Sequence, residues 1–267
     1  MTKTSYSGLK DKRILVVEDV ELNQYLARHI MESWGCVVEV VENGSIALQR
    51  INDTDFDLVL MDIQMPVMDG IEATRKIREM SDQVKATIPI VALTANSMKS
   101  ECDTYIRIGM NDWLGKPFQE PALYETVSKN IRKERVVSTQ IANAIEEKQH
   151  VKESRPKLYD TSMVEALSGG DKSFVERMLR LFLDTVPVTL KDLQTSAEAG
   201  EWLALSKHAH KLKSTIDSMN IASLKQTIRE IEVGGKTNAE PELLRTKTAE
   251  VLKVMEKVIA EVKEREV

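Results

Sequence analysis

The sequence predicts two structural units in series: an α/β domain built on a doubly wound five-stranded parallel sheet, then a separate all-α four-helix bundle. Three observations carry this expectation. In the first half, five short apolar runs alternate with segments of helix length, the order of a parallel sheet covered on both faces. Beyond Tyr159 the strand signal stops and helical periodicity alone remains. A polar, charged stretch separates the two regions, and 267 residues suffice for two cores.

In chain order, the strand runs are RILVVE from Arg13, CVVEVV from Cys36, FDLVLMD from Phe56, IPIVALT from Ile88 and DWLGK from Asp112. Helical segments follow them at 21–34, 44–51, 71–80, 97–108 and 120–132, each mixing polar and apolar residues. The first domain is thus expected over residues 1–133 and a linker with partial helical character over 134–157. The helical domain is expected over 158–267, with helices at 161–167, 171–185, 187–199, 201–219, 221–233 and 240–263. These bounds place a helix break just before Pro187.

Thirty-seven Lys and Arg against 42 Asp and Glu give a net charge of −5, which argues against nucleic-acid binding. Cys36 and Cys102 lack metal-ligand spacing and suit structural thiols in a reducing compartment. The N-terminus lacks the apolar core of a signal peptide and no run reaches membrane-spanning length, so a cytoplasmic location without a membrane span is expected. A monomer is the expected state. No P-loop or Gly-rich nucleotide motif is present, which excludes a self-contained kinase.

Two regions carry chemistry. Ligands of open parallel sheets bind at the carboxyl ends of the strands. Those ends here bear Glu18 and Asp19, then Asp62, then Thr94, then Lys116. Carboxylates brought together repel unless a cation joins them, and hard oxygen ligands suit Mg²⁺. Pro66 and Gly70 bracket a tight connection after Asp62, expected to shape the pocket mouth. In the helical half, Trp202, Leu205, Ala209, Leu212, Ile216 and Met219 form a core-facing stripe. His208 falls on its flank. His210 points away from it toward solvent, with Lys207 and Lys213 three residues to either side and Ser206 and Ser214 four. A neutral imidazole there is a competent nucleophile, and small serines leave room for a partner.

The stretches ILVVEDVELNQ, DLVLMDIQMPVMDG, ALTAN and GKPF resemble the receiver domain of two-component response regulators over residues 12–133. The resemblance implies a flavodoxin-like (CheY-like) fold in which Asp62 is the phosphoacceptor. Glu18, Asp19, Asp62 and the main-chain carbonyl of Gln64 would hold Mg²⁺, Thr94 and Lys116 would contact phosphoryl oxygens, and Trp113 would stand at the switch position, where tyrosine is more usual. SGGDKSFVERMLRLFLDTVP together with HKLKS resembles the histidine phosphotransfer (HPt) domain, which implies His210 as a second phosphoacceptor assisted by Lys213. The sequence departs from that pattern at Ser214, usually glycine, and near Asn220, where another glycine is common.

Together the two resemblances imply a phosphorelay intermediate, taking a phosphoryl group from a sensor histidine kinase and delivering it to a downstream receiver. Alternatives are a switched binding module whose His210 carries no phosphate, a metal-dependent phosphatase, or the C-terminal part of a hybrid kinase. A linker of about 24 residues spans roughly 25 Å if flexible and roughly 36 Å if helical, so reach leaves open whether the two sites meet within one chain.

Overall fold

The computed structural model describes residues 8–95, 99–131, 158–168, 170–237 and 239–266. The expected linker lies outside the described residues. Strands β1 (Arg13–Val17), β2 (Val37–Val41), β3 (Leu58–Asp62), β4 (Ile90–Thr94) and β5 (Asp112–Gly115) form one parallel sheet in the order β2-β1-β3-β4-β5. Their helices are α1 (Glu21–Ser33), α2 (Gly44–Asp53), α3 (Gly70–Arg78), the short α4 (Gln83–Ala86), α5 (Lys99–Ile108) and α6 (Glu120–Ile131). The four-residue α4 was not expected. Asp82 caps it, accepting from the amides of Val84 and Lys85.

Alternate strand residues serve opposite faces. Ile14, Val16, Leu58, Leu60, Val91 and Leu93 meet Leu26, Ile30, Leu123 and Val127 of α1 and α6. Leu15, Val17, Val59, Met61, Ile90 and Ala92 meet Ala47, Ile51, Ala73 and Ile77 of α2 and α3. Burial of both faces explains why β3 and β4 read as unbroken apolar runs. Edge strand β2 is less covered, with Val37 exposed and Val38, Glu39 and Val40 half-buried, which lets Glu39 interrupt its apolar run.

The helical domain comprises the short α7 (Ser162–Leu167) and four longer helices, α8 (Lys172–Ala199), α9 (Trp202–Ser218), α10 (Lys225–Thr237) and α11 (Pro241–Glu266). Asp171 caps α8 by accepting from the amides of Ser173 and Phe174. The expected break at Pro187 does not occur: α8 runs through it. Proline forfeits one helical hydrogen bond. Phe182, Val186, Leu190 and Leu193 nevertheless form one buried stripe across that point, and packing on α9 and α11 holds both halves in line. Asn220, just past α9, has φ 45°, the left-handed conformation that asparagine tolerates.

The two domains touch. Helix α1 packs against both α8 and α9, and the buried apolar side chains of that sheet face are continuous with the bundle core. No helix among the described residues is long and apolar enough to cross a membrane.

The start of α3 is set by Gly70, whose amide donates to Ile63 O. A Cβ there would lie 2.1 Å from Asp62 O and 2.9 Å from Met61 Cγ, so any side chain pushes directly on the end of β3. Gly70→Ala is expected to lower stability by about 1–3 kcal/mol, the range for overpacking, read as a reduced urea midpoint.

Candidate functional site

The strand order explains the first site. Central β1 lies beside β3, so the residues following β1 and the last residue of β3 reach the same edge, and β4 and β5 follow in sequence. Carboxylate oxygens of Glu18, Asp19 and Asp62 lie within 4.8 Å of one another. Lys116 reaches across from beyond β5, its Nζ 2.8 Å from Glu18 Oε2 and 2.8 Å from Asp62 Oδ2. Glu18 Oε1 accepts from Asn23 Nδ2 at 3.0 Å and from the Val20 amide at 3.2 Å, which fixes its rotamer. The Gln64 amide lies 3.4 Å from Asp62 Oδ1.

Asp62 is 2% exposed. Burial raises its pKa to about 7, with Glu18 and Asp19 adding to the rise and Lys116 opposing it. Asp19 is likewise raised, first by burial and then by Glu18. Burial works against the Lys116 charge, but Asp62 and Glu18 outweigh it and hold the ammonium above its ordinary range. Lys116 bonds two of the carboxylates and Lys211 of α9 lies 3.3 Å from Asp19 Oδ2, so two cations face three carboxylates. Asp19 Oδ1 is buried without a hydrogen-bond partner. A hard divalent cation fits this donor set, because it would satisfy that oxygen and the charge excess together. Thr94 closes the edge, its Oγ1 3.3 Å from the Tyr105 hydroxyl, which in turn lies 3.4 Å from Glu101 Oε2.

The second site lies on α9. His210 Nδ1 is 2.8 Å from Glu232 Oε1 on α10, and Lys213 Nζ is 2.5 Å from Glu232 Oε2. An ionised carboxylate only accepts, so Nδ1 carries the proton and donates it. Lys213, a donor only, sits 3.4 Å from the same nitrogen and acts there through its charge. Burial lowers the His210 pKa, with Lys213 and Lys116 lowering it further and Glu232 opposing. Burial disfavours the Glu232 charge, but the bonds from His210 and Lys213 outweigh it and keep Glu232 ionised below the usual carboxylate range. The imidazole is therefore neutral, with its lone pair on Nε2. That atom is buried and has no hydrogen-bond partner.

Correction is needed on two points. His210 was expected in solvent, yet it is 8% exposed. The helix face turned from the α9 stripe is covered by α10 and by the docked α/β domain, whose Lys116 acts electrostatically on the ring. Ser206 and Ser214 were both read as leaving room for a partner. Ser206 instead donates to Glu232 O at 2.6 Å, and its Cβ would lie 2.9 Å from any Cβ at Gly235, so it permits close approach of α9 and α10. Ser214 does face the other domain, near Lys116 and Phe118. Lys207 is exposed, and His208 is half-buried with its pKa lowered by burial. Trp113, on β5, is 37% exposed. The sequence reading missed Glu232 and Tyr105. A carboxylate four residues after Ile228, on the same helix face, was the available signal for the former; Tyr105 had none.

Residues 14–128 match the response regulator receiver domain family, and residues 177–264 match the Hpt domain family. The two-component response regulator ORR41 of Oryza sativa subsp. japonica is 43% identical over 44% of this chain and 92% of its own length. Sensor protein GacS of Pseudomonas syringae pv. syringae is 30% identical over 85% of this chain. The aerobic respiration control sensor protein ArcB of Escherichia coli K12 is 30% identical over 82%. The chain spans 25% and 27% of those two sensors' lengths.

Two outcomes follow from the electrostatics. An acid raised in the folded chain from its ordinary 3.8 holds its proton more tightly folded than unfolded, so the contribution of Asp62 to stability is full below pH 4 and falls as pH climbs toward 7. Asp62→Asn should therefore stabilise the metal-free chain at pH 8, by on the order of 3 kcal/mol, and change it little at pH 4, as measured by urea unfolding. For the second site, ¹⁵N NMR at pH 7 should show His210 as the Nδ1–H tautomer. Glu232→Ala should shift it toward Nε2–H, whereas Glu232→Gln, whose amide oxygen still accepts, should shift it less.

Proposed function

Since the chain belongs to the two-component signalling family, as a receiver domain followed by an HPt domain, we propose that Asp62 and His210 are successive phosphoacceptors of a phosphorelay. A sensor histidine kinase is the donor and an aspartate of a downstream receiver the final acceptor, in a cytoplasmic setting with the chain as a monomer. The observation that carries this reading is the complementary protonation of the two sites. Asp62 sits against a fixed ammonium, and His210 presents a free Nε2 lone pair.

Each step is a displacement at phosphorus. A carboxylate oxygen of Asp62 attacks the phosphoryl group on the donor's imidazole; a P–O bond forms as the N–P bond breaks, and the electron pair returns to the donor ring. Lys116, 2.8 Å from Asp62 Oδ2, is placed to neutralise phosphoryl oxygens, and Thr94 at the end of β4 to donate to one. Glu18, Asp19, Asp62 and the Gln64 carbonyl would hold Mg²⁺, which when bound supplies positive charge against the carboxylates and the incoming phosphoryl group. In the second transfer His210 Nε2 attacks, the bond to Asp62 breaks and the carboxylate leaves with its electron pair. The ring becomes cationic, and Glu232 beside Nδ1–H stabilises that charge. Lys213 keeps Glu232 ionised. Trp113, on β5 and partly exposed, is the residue proposed to reorient once Asp62 is modified.

A small phosphodonor such as acetyl phosphate should give wild-type protein a base-labile label on Asp62 that chelator abolishes, followed by an acid-labile label on His210. Asp62→Ala should remove both when acetyl phosphate is the source. His210→Gln should remove only the acid-labile one, and His208→Gln neither. Acid-labile phosphate persisting in His210→Gln would overturn the assignment.

A further inference from the structure

Lys211 carries a charge of the bundle into the acidic pocket of the other domain. Its Nζ lies 3.3 Å from Asp19 Oδ2, while Asp19 Oδ1 is buried and has no hydrogen-bond partner. The two ends of this pair differ in freedom: the Asp19 side chain is 4% exposed and the Lys211 side chain 39%. The lysine can therefore swing into water at little cost, whereas the carboxylate stays in place. Lys116, by contrast, is buried and bonds Glu18 and Asp62. Asp19 also lines an open cleft of about 370 Å³ with Glu21, Gln24, Glu42 and, from α8, Arg177. That cleft gives solvent cations a path to Asp19 while the bundle is seated. Part of the seating involves no charge: the Phe174 ring of α8 stacks on His29 of α1 at 3.9 Å between centroids and on Tyr25 of α1 at 5.1 Å.

We infer that Lys211 and a divalent cation compete for Asp19, so that a residue of the bundle sets the metal affinity of the receiver pocket and metal loading loosens the seating of the bundle. Burial disfavours the ionised form of Asp19 and the neighbouring Glu18 adds to this, and either cation relieves both. Two cations on one carboxylate repel each other at short range, and a buried site screens them poorly. A divalent ion carries twice the charge of the ammonium and finds oxygens of Glu18 and Asp62 in the same cluster, so it displaces the lysine. Linkage makes the effect reciprocal: the metal affinity that seating removes equals the seating that metal removes. The aromatic stack lies apart from this exchange, so seating is weakened and not abolished. For the proposed phosphorelay the consequence is one of order, since the cation needed before Asp62 takes a phosphoryl group also frees that edge from the bundle.

This inference rests on the Mg²⁺ site proposed above, and its test separates the two. In the full chain, with no phosphodonor present, bound Mn²⁺ is counted by electron paramagnetic resonance and Mg²⁺ by its displacement of Mn²⁺. Lys211→Met should tighten both ions about tenfold, within the span of ordinary coupling between sites. Lys211→Arg keeps the charge and should hold the wild-type affinity. Lys207→Met, which removes an exposed charge four residues earlier on the same helix, should hold it too. Seating is read separately. Ser218 is 4% exposed and faces Lys116, Pro117 and Phe118 across a narrow gap, so alkylation of Ser218→Cys, followed by peptide mass, counts openings of the domains. Saturating Mg²⁺ should speed that alkylation about tenfold in the otherwise wild-type chain and leave it unchanged once Lys211→Met is added. Equal metal affinity in wild type and Lys211→Met, or wild-type alkylation indifferent to Mg²⁺, overturns the competition and leaves the metal site standing. Absence of binding by both proteins overturns both.

Discussion

The bonds from Lys116 Nζ to Glu18 and Asp62, each 2.8 Å, are the constraint around which the receiver is arranged. A carboxylate with 2% exposure beside two others is unfavourable unless a cation meets it, and among the described residues Lys116 is the cation that bonds Asp62. To deliver it, β5 must lie next to β4 and β4 next to β3, and the Lys116 amide is tied to Thr94 O at 2.7 Å. Compensation is incomplete, as the raised Asp62 and the unpartnered Asp19 Oδ1 show. Such a pocket is poised for further positive charge and, once supplied with it, for an anionic group.

The helical domain solves a related problem with opposite signs. As the phosphoacceptor proposed above, His210 would have to stay neutral to attack and to accommodate positive charge after attack. Burial and Lys213 serve the first need, and the ionised Glu232 serves the second. Glu232 performs this role because Lys213 holds it charged in a site that would otherwise favour its protonation. The closeness of α9 and α10, permitted by Ser206 and Gly235, brings the carboxylate within reach.

Joining the sites adds a further coupling. Asp19 is both a member of the acidic cluster and the partner of Lys211 from the bundle, so the charge state of the pocket and the seating of the HPt domain share an atom group. The aromatic stack on α1 lies apart from that charge exchange and contributes contact area that does not depend on it.

Much of this was legible in one dimension. Alternation of apolar runs with amphipathic segments is a backbone-period signal, and a parallel sheet sends all its strand ends to one edge, so Glu18, Asp19, Asp62, Thr94 and Lys116 could be placed together from order alone. The apolar stripe of α9 likewise distinguished His208 from His210, because side chains two residues apart on a helix diverge. What periodicity does not encode is what covers a face. Whether His210 met solvent or protein depended on α10 and on the α/β domain that precedes the bundle in the chain, and the bond to Glu232 spans 22 positions. The straight passage of α8 through Pro187 was decided in the same way, by packing on α9 and α11 that outweighs a local hydrogen-bond loss. The sequence by itself determined the elements, their order and the chemistry at the strand ends. Tertiary structure alone decided which charges are paired, which nitrogen of His210 is free and which surface it meets, because those depend on distances between elements that local spacing leaves open.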